Sequence, residues 1–154
     1  MFIWLRTNNK FITIFLKLFI LYSMKPKKIW SNLGVSDLDR TTKFYNALGF
    51  KPNGKHSVTK ELTSFLVGDN GFVLHFFLKN VIETNVNVKF TEPKNGIEVL
   101  FTLSAESKEE VDKWAKEVDE AGGKIISQPE EFGKGYYGFV FADPDGHTFN
   151  AFYM

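Results

Sequence analysis

Few side chains in this chain have the chemistry to act on a small molecule, and they lie far apart in sequence. His75 stands in the apolar run VLHFFL, Glu98 in IEVLFTLS, and Asn150 in the terminal stretch DPDGHTFNAFYM. An imidazole and a carboxylate are the usual carriers of proton transfer. Glu98 reads either as an ion-paired strand residue or as a general base or hydrogen-bond acceptor oriented by His75. His75 reads either as a core residue satisfied by its neighbours or as a site imidazole, since neutral imidazole both donates and accepts. Trp30 and Asn32, two apart in KIWSNLGV, offer a stacking plane, an N–H donor and an amide. With Phe77, Phe152 and either Tyr136 or Phe139 they would make an aromatic pocket, although a chain with seventeen Phe buries aromatics in any case. Asn150 is an amide where a buried strand could carry a carboxylate. The chain has no cysteine, which excludes disulfides, thiolate metal sites and cysteine nucleophiles and is compatible with a cytoplasmic location. A net charge of +1 points away from a nucleic-acid partner.

The elements that must hold these residues repeat. KIWSNLGV alternates with period 2, placing Trp30, Asn32 and Gly34 on one face and Ile29, Ser31, Leu33 and Val35 on the other. Next, SDLDRTTKFYNALGF carries Leu38, Thr41, Tyr45 and Leu48 at helical spacing. Ser36 and Asp39 form a start signal and Gly49 a stop. IEVLFTLS alternates again, with Glu98, Leu100 and Thr102 opposite Ile97, Val99, Phe101 and Leu103. Ser107 and Glu110 form a capping box, followed by a stripe of Val111, Ala115, Val118 and Ala121 and a Gly122–Gly123 stop. Short strands follow each helix: 51–52, 62–67 and 72–78 around the turn GDNG, then 124–127, 136–142 and 148–153 around the turn DPDG. The order is βαβββ, twice. Neither unit can bury its helix stripe alone, so an α+β domain of two modules, 24–79 and 96–154, joined by a polar linker 80–95, is expected. His147 is out of phase with Asn150 across the last strand's face and reads as turn structure. EEFGKGYYGF lacks the ending of a phosphate-binding loop and reads as a loop entering a strand.

Residues 1–23 carry Arg6, Lys10 and Lys17 and no acid, and the apolar run Phe11–Tyr22 is interrupted by Lys17. That run is shorter than the roughly 20 residues a membrane span needs. It is read as an extension outside the fold, with Met24 as the natural start and a membrane-associated leader as the other reading.

A doubled βαβββ pattern closed by DPDGH resembles the vicinal oxygen chelate superfamily of glyoxalases, bleomycin-resistance proteins, fosfomycin-resistance enzymes and extradiol dioxygenases. The matching stretches are NLGVSDLDRTTKFYNALGF, FTLSAESKEEVDKWAKEVDEAGG and GFVFADPDGHTFN. The resemblance implies a concave mixed sheet with helices on the outside, a small-molecule cleft and a homodimer. It also implies four ligand positions in metal-using members, which fall here on Trp30, His75, Glu98 and Asn150. Indole binds no metal, and a neutral amide is a poor partner for zinc, nickel or iron. The resemblance therefore leads to a metal-free binder of the bleomycin-resistance type, with Trp30, Asn32, Phe77, Tyr136, Asn150 and Phe152 on the ligand. The other reading is a glyoxalase-like lyase or isomerase in which His75 and Glu98 hold zinc, nickel, manganese or iron.

Overall fold

In the first module, the run WSNLGV, with alternating faces, gives the strand β1 (Trp30–Val35), which leads into the helix α1 (Leu38–Ala47). The cap differs from expectation. Asp37, not Ser36, sits at the N-cap and accepts from the Arg40 amide at 3.0 Å, because the Ser36 side chain is engaged elsewhere. Gly49, at φ +75°, ends the helix. The strands β2 (Lys51–Pro52), β3 (Leu62–Val67) and β4 (Phe72–Leu78) follow, with GDNG turning between β3 and β4. The computed structural model describes residue 24 and residues 26–97 and 99–154, with the side chains of His56 and Lys94 left aside. The reading of residues 1–23 lies outside the described residues.

The linker is not a plain connection. It begins with a helix, α2 (Lys79–Val86), that buries Ile82 and ends at Asn87 in the left-handed region, φ 53°. No capping side chain announces it, which is why its sequence reads as loop. Glu83 then draws the chain back by accepting from the Phe90 amide at 2.9 Å.

The second module repeats the first with β5 (Phe101–Ser104), α3 (Lys108–Glu120), β6 (Lys124–Phe132), β7 (Tyr136–Ala142) and β8 (Thr148–Tyr153). Here the expected cap forms: Ser107 accepts from the Glu110 amide at 3.2 Å, while Glu110 accepts from the amide of Glu106 at 2.7 Å. The strand β6 runs longer than its expected 124–127, through register shifts beside Ser127. Each module forms its own four-stranded mixed sheet, ordered β1-β4-β3-β2 and β5-β8-β7-β6, with the first and last strands of each module parallel. The α+β class and the paired βαβββ modules follow the sequence pattern.

The helices α1 and α3 each cover one face of their own sheet; on the other face of the first sheet, Lys79 and Phe90 of the linker region pack at Gly34 and leave the rest open. The covered faces of both modules contribute to one core that includes Val35, Tyr45, Phe65, Phe76, Phe139, Phe141 and Phe149. Tyr45 shows how they meet: its ring lies 4.4 Å from Phe76 in the first sheet and 6.1 Å from Phe149 in the second. On the same side, Phe44 packs over Gly123, where an added Cβ would lie 2.7 Å from Val118 and 3.0 Å from Phe44. Strand pairing is confined to each module, so the concave sheet is not continuous from one module to the next within a chain. The two open faces are turned away from the shared core. Among the described residues, no helix is long and apolar enough to cross a membrane.

Candidate functional site

On the open face of the first sheet, register alone assembles a polar row. Asn32 of β1 pairs with His75 of β4, which pairs with Ser64 of β3. Asn53, just past β2, extends the row by donating from Nδ2 to Ser64 Oγ at 3.1 Å. Trp30 lies one row away beside Val73 and Leu66 and is 52% exposed, an uncovered indole on an otherwise packed sheet. Phe77 lies on the other side of His75, ring centroids 5.9 Å apart. Trp30, Asn32, His75 and Phe77 are therefore brought onto one surface. Asn53 and Ser64 were not apparent from the sequence, because their membership depends on the β3–β4 register.

The open face of the second sheet carries Asn150 between Thr102 and Val140, and Phe152 between Ser104 and Gly138. Tyr136 lies 6.2 Å from Phe152, and Phe132, which sequence reasoning did not single out, stacks on Tyr136 at 6.0 Å with an interplanar angle of 15°. Of the two alternatives Tyr136 and Phe139, the strand decides for Tyr136: Phe139 is turned to the covered face and is 1% exposed. Tyr136, Asn150 and Phe152 thus share a second surface. The structure does not bring it against the first, because the two sheets turn their covered faces, not their open ones, toward the shared core. Glu98 lies outside the described residues.

Acids that read as turn formers in DPDG have a further role. Asp143, 3% exposed, accepts from the Tyr45 hydroxyl at 2.9 Å and from the amides of Asp145 and His147 at 3.0 and 2.9 Å. Asp145 accepts from the Ser36 amide at 2.9 Å, the Ser36 hydroxyl at 2.7 Å and the Arg40 guanidinium at 2.8 Å. His147 Nε2 lies 2.9 Å from the Gly34 carbonyl. The turn is a clasp between modules, and the role of His147 is structural, as its phase suggested. Burial pushes the Asp143 carboxyl up, against the opposing pull of His147 and the Tyr45 hydroxyl. Burial, then Asp143, pushes the Tyr45 phenol well up. At Asp145 burial acts upward too, but the Ser36 and Arg40 donors outweigh it and hold that carboxyl below its ordinary value.

A cavity of about 790 Å³ lies between the modules on the covered side, lined by Phe50, Phe72, Phe101, Trp114, Phe141 and Phe149; among the expected site residues it touches Phe139, the ring turned to the covered face. A smaller one of about 250 Å³ lies under the linker and touches Asn32, Gly34, Phe90 and His147. Among the described residues, no three His, Asp or Glu side chains are grouped to hold a metal ion. The described donors at the four positions implied by resemblance are one imidazole, His75, and one neutral amide, Asn150, on separate sheets, together with an indole. That set does not fit a transition-metal centre.

A family model described as the Glyoxalase/Bleomycin resistance protein/Dioxygenase superfamily matches residues 29–151. The chain belongs to that superfamily. It is similar in structure to a hypothetical protein, SA1046, of S. aureus, with a TM-score of 0.74 and 28% identity over 88% of this chain and 99% of the other. A glyoxalase-related enzyme of Fulvimarina pelagi matches with a TM-score of 0.73 and 22% identity over 84% and 89% of the two chains. A lactoylglutathione lyase of Agrobacterium tumefaciens matches at 0.61 and 21% identity, over 84% and 95%. At these last two identities the likeness shows the fold. No curated protein matches the chain in sequence.

Proposed function

We propose that this protein binds a small molecule on the open faces of its sheets by stacking and hydrogen bonding, without a resident metal, as a cytoplasmic homodimer. The observation that carries the reading is the row Asn53–Ser64–His75–Asn32 beside the half-exposed indole of Trp30. Asn32 and His75 supply donor and acceptor atoms beside that aromatic plane, the ingredients of a ligand site, while the fully buried Ser64 holds Asn53 in the row. Trp30 and Asn150 stand on the open faces where metal-using relatives would place ligands, and neither is suited to a metal. Homodimerisation is supported by the geometry of the sheets: each chain has two open faces that diverge, so a two-sided cleft requires a second copy. The absence of cysteine supports the compartment.

Two measurements test the reading. Protein from the native host, purified without added metal, is expected to contain no stoichiometric transition metal. In a small-molecule melting screen, hits are expected to lose their effect on Trp30→Ala or Asn32→Ala. Stoichiometric metal that is lost on Glu98→Ala would overturn the metal-free reading. Sedimentation equilibrium showing only monomer would overturn the dimer.

A further inference from the structure

We propose that the corner of the second open face formed by Glu130, Phe132, Tyr136 and Phe152 binds an organic cation, a quaternary ammonium or a substituted amine. This rests on the reading that the open faces take small molecules, and it names the ligand class for one of them.

The corner is built by register. Glu130 of β6, Gly138 of β7 and Phe152 of β8 lie side by side across the sheet, and Phe132 and Tyr136 pair in the next row. Gly138 has no side chain to separate its neighbours. A Cβ there would lie 2.5 Å from the Ala151 carbonyl oxygen, 2.8 Å from Phe152 Cβ and 3.1 Å from Phe132 Cε1. The glycine thus lets Phe132 lean over bare backbone toward Phe152. The result is three rings in contact, two of which keep large uncovered surfaces: Phe132 is 43% and Tyr136 41% exposed. Ring faces in such a cluster present negative potential to an incoming cation.

Charge decides which occupant fits. Glu130 and Glu131 are adjacent but point to opposite faces. Glu131, paired with Tyr137, is turned to the covered side and bonded to Lys108, which itself sits over the Tyr137 ring at 5.3 Å. Glu130 shares the open face with the rings, and among the described residues its side chain takes part in no hydrogen bond or ion pair. Lys134 stands at the tip of the β6–β7 turn. An anionic ligand would meet Glu130, and a neutral one would use the rings but not the carboxylate. A cation uses both, and a methylated ammonium, with its apolar shell, matches aromatic faces better than a compact hydrated ammonium does.

The probe is choline chloride, compared with its uncharged carbon isostere 3,3-dimethyl-1-butanol at matched ionic strength and read by amide chemical shifts of the full chain. Choline is expected to shift the amides of residues 130–138 and 152. The isostere is expected to bind about twofold to fivefold more weakly, the ratio an exposed cation–π site supports. Phe132→Ala and Glu130→Gln should each weaken choline binding about threefold or more, whereas Tyr136→Phe, which keeps the ring, should not. Equal binding of choline and the isostere, or an unchanged Glu130→Gln, overturns the proposal. If patch amides respond to protein concentration and not to choline, the corner belongs to a second copy, and the proposal also fails. Failure here, with melting-screen hits still dependent on Trp30, removes only the cation assignment and leaves the ligand-binding reading intact.

Discussion

Replacing Asp145 with alanine removes one carboxylate and, with it, most of the clasp between the modules. That carboxylate accepts two bonds from Ser36, at 2.9 and 2.7 Å, and an ion pair from Arg40 at 2.8 Å; the Thr41 hydroxyl is distant at 3.4 Å. A hydrogen bond to a charged group contributes about 1.5–3 kcal/mol; both Ser36 bonds lie near the surface, so the lower figure applies to each. The Arg40 side chain is 45% exposed and its pair contributes about 0.5 kcal/mol. The expected loss is about 3–4 kcal/mol, a large part of the ~5–15 kcal/mol that holds a domain of this size. At roughly 3–4 °C per kcal/mol, Tm should fall by about 10 °C. Urea unfolding followed by far-UV circular dichroism measures the loss. The intrinsic fluorescence of Trp30 and Trp114, one in each module, tests whether the modules still unfold together. Asp145→Asn keeps an acceptor and should lose about half as much. Because the folded carboxyl is held below its ordinary value, its contribution is present above pH ~3.9 and is lost as pH falls through the lowered folded pKa. An Asp145→Ala protein within about 0.5 kcal/mol of the parent, the range of ordinary surface substitutions, would refute the clasp.

Asp143 should behave in the opposite sense. Its folded carboxyl is raised, so its ionisation weakens the fold as pH rises through that folded value; Asp143→Asn should therefore gain stability over the parent between acid and neutral pH, as pH-dependent melting will show. Gly138→Ala meets the Ala151 carbonyl oxygen at 2.5 Å, and chemical denaturation should show a loss of about 2 kcal/mol or more with shifted amides in β7 and β8. Phe139→Ala should cost about 3–5 kcal/mol and Tyr136→Ala less than about 1, a contrast in urea midpoints that checks which ring the strand turns inward.

The α+β class, the doubled βαβββ order and most element bounds were legible in the sequence because they are local. A period of two, a period near four, a capping serine and a glycine turn each act within a few residues. Capping was read correctly at Ser107 and one residue early at Ser36, because the Ser36 hydroxyl is claimed by Asp145, 109 positions away. The helix α2 was missed because what holds it is the burial of Ile82, not a start signal.

The faces of single strands were likewise readable where a strand formed: Trp30 with Asn32, and Asn150 with Phe152, lie where alternation put them, whereas Ile97 and Val99 precede β5 and are exposed. What alternation cannot supply is which strands become neighbours. Register brought Asn53 and Ser64 into line with His75, and Phe132 against Tyr136. Tertiary packing then settled the larger matter. Both modules bury their helix-covered faces against one another around Tyr45, because aromatic area on those faces is covered most fully that way. Apolar packing between the covered faces, rather than the polarity of the candidate site, therefore set the arrangement in which a single chain holds its two open faces apart.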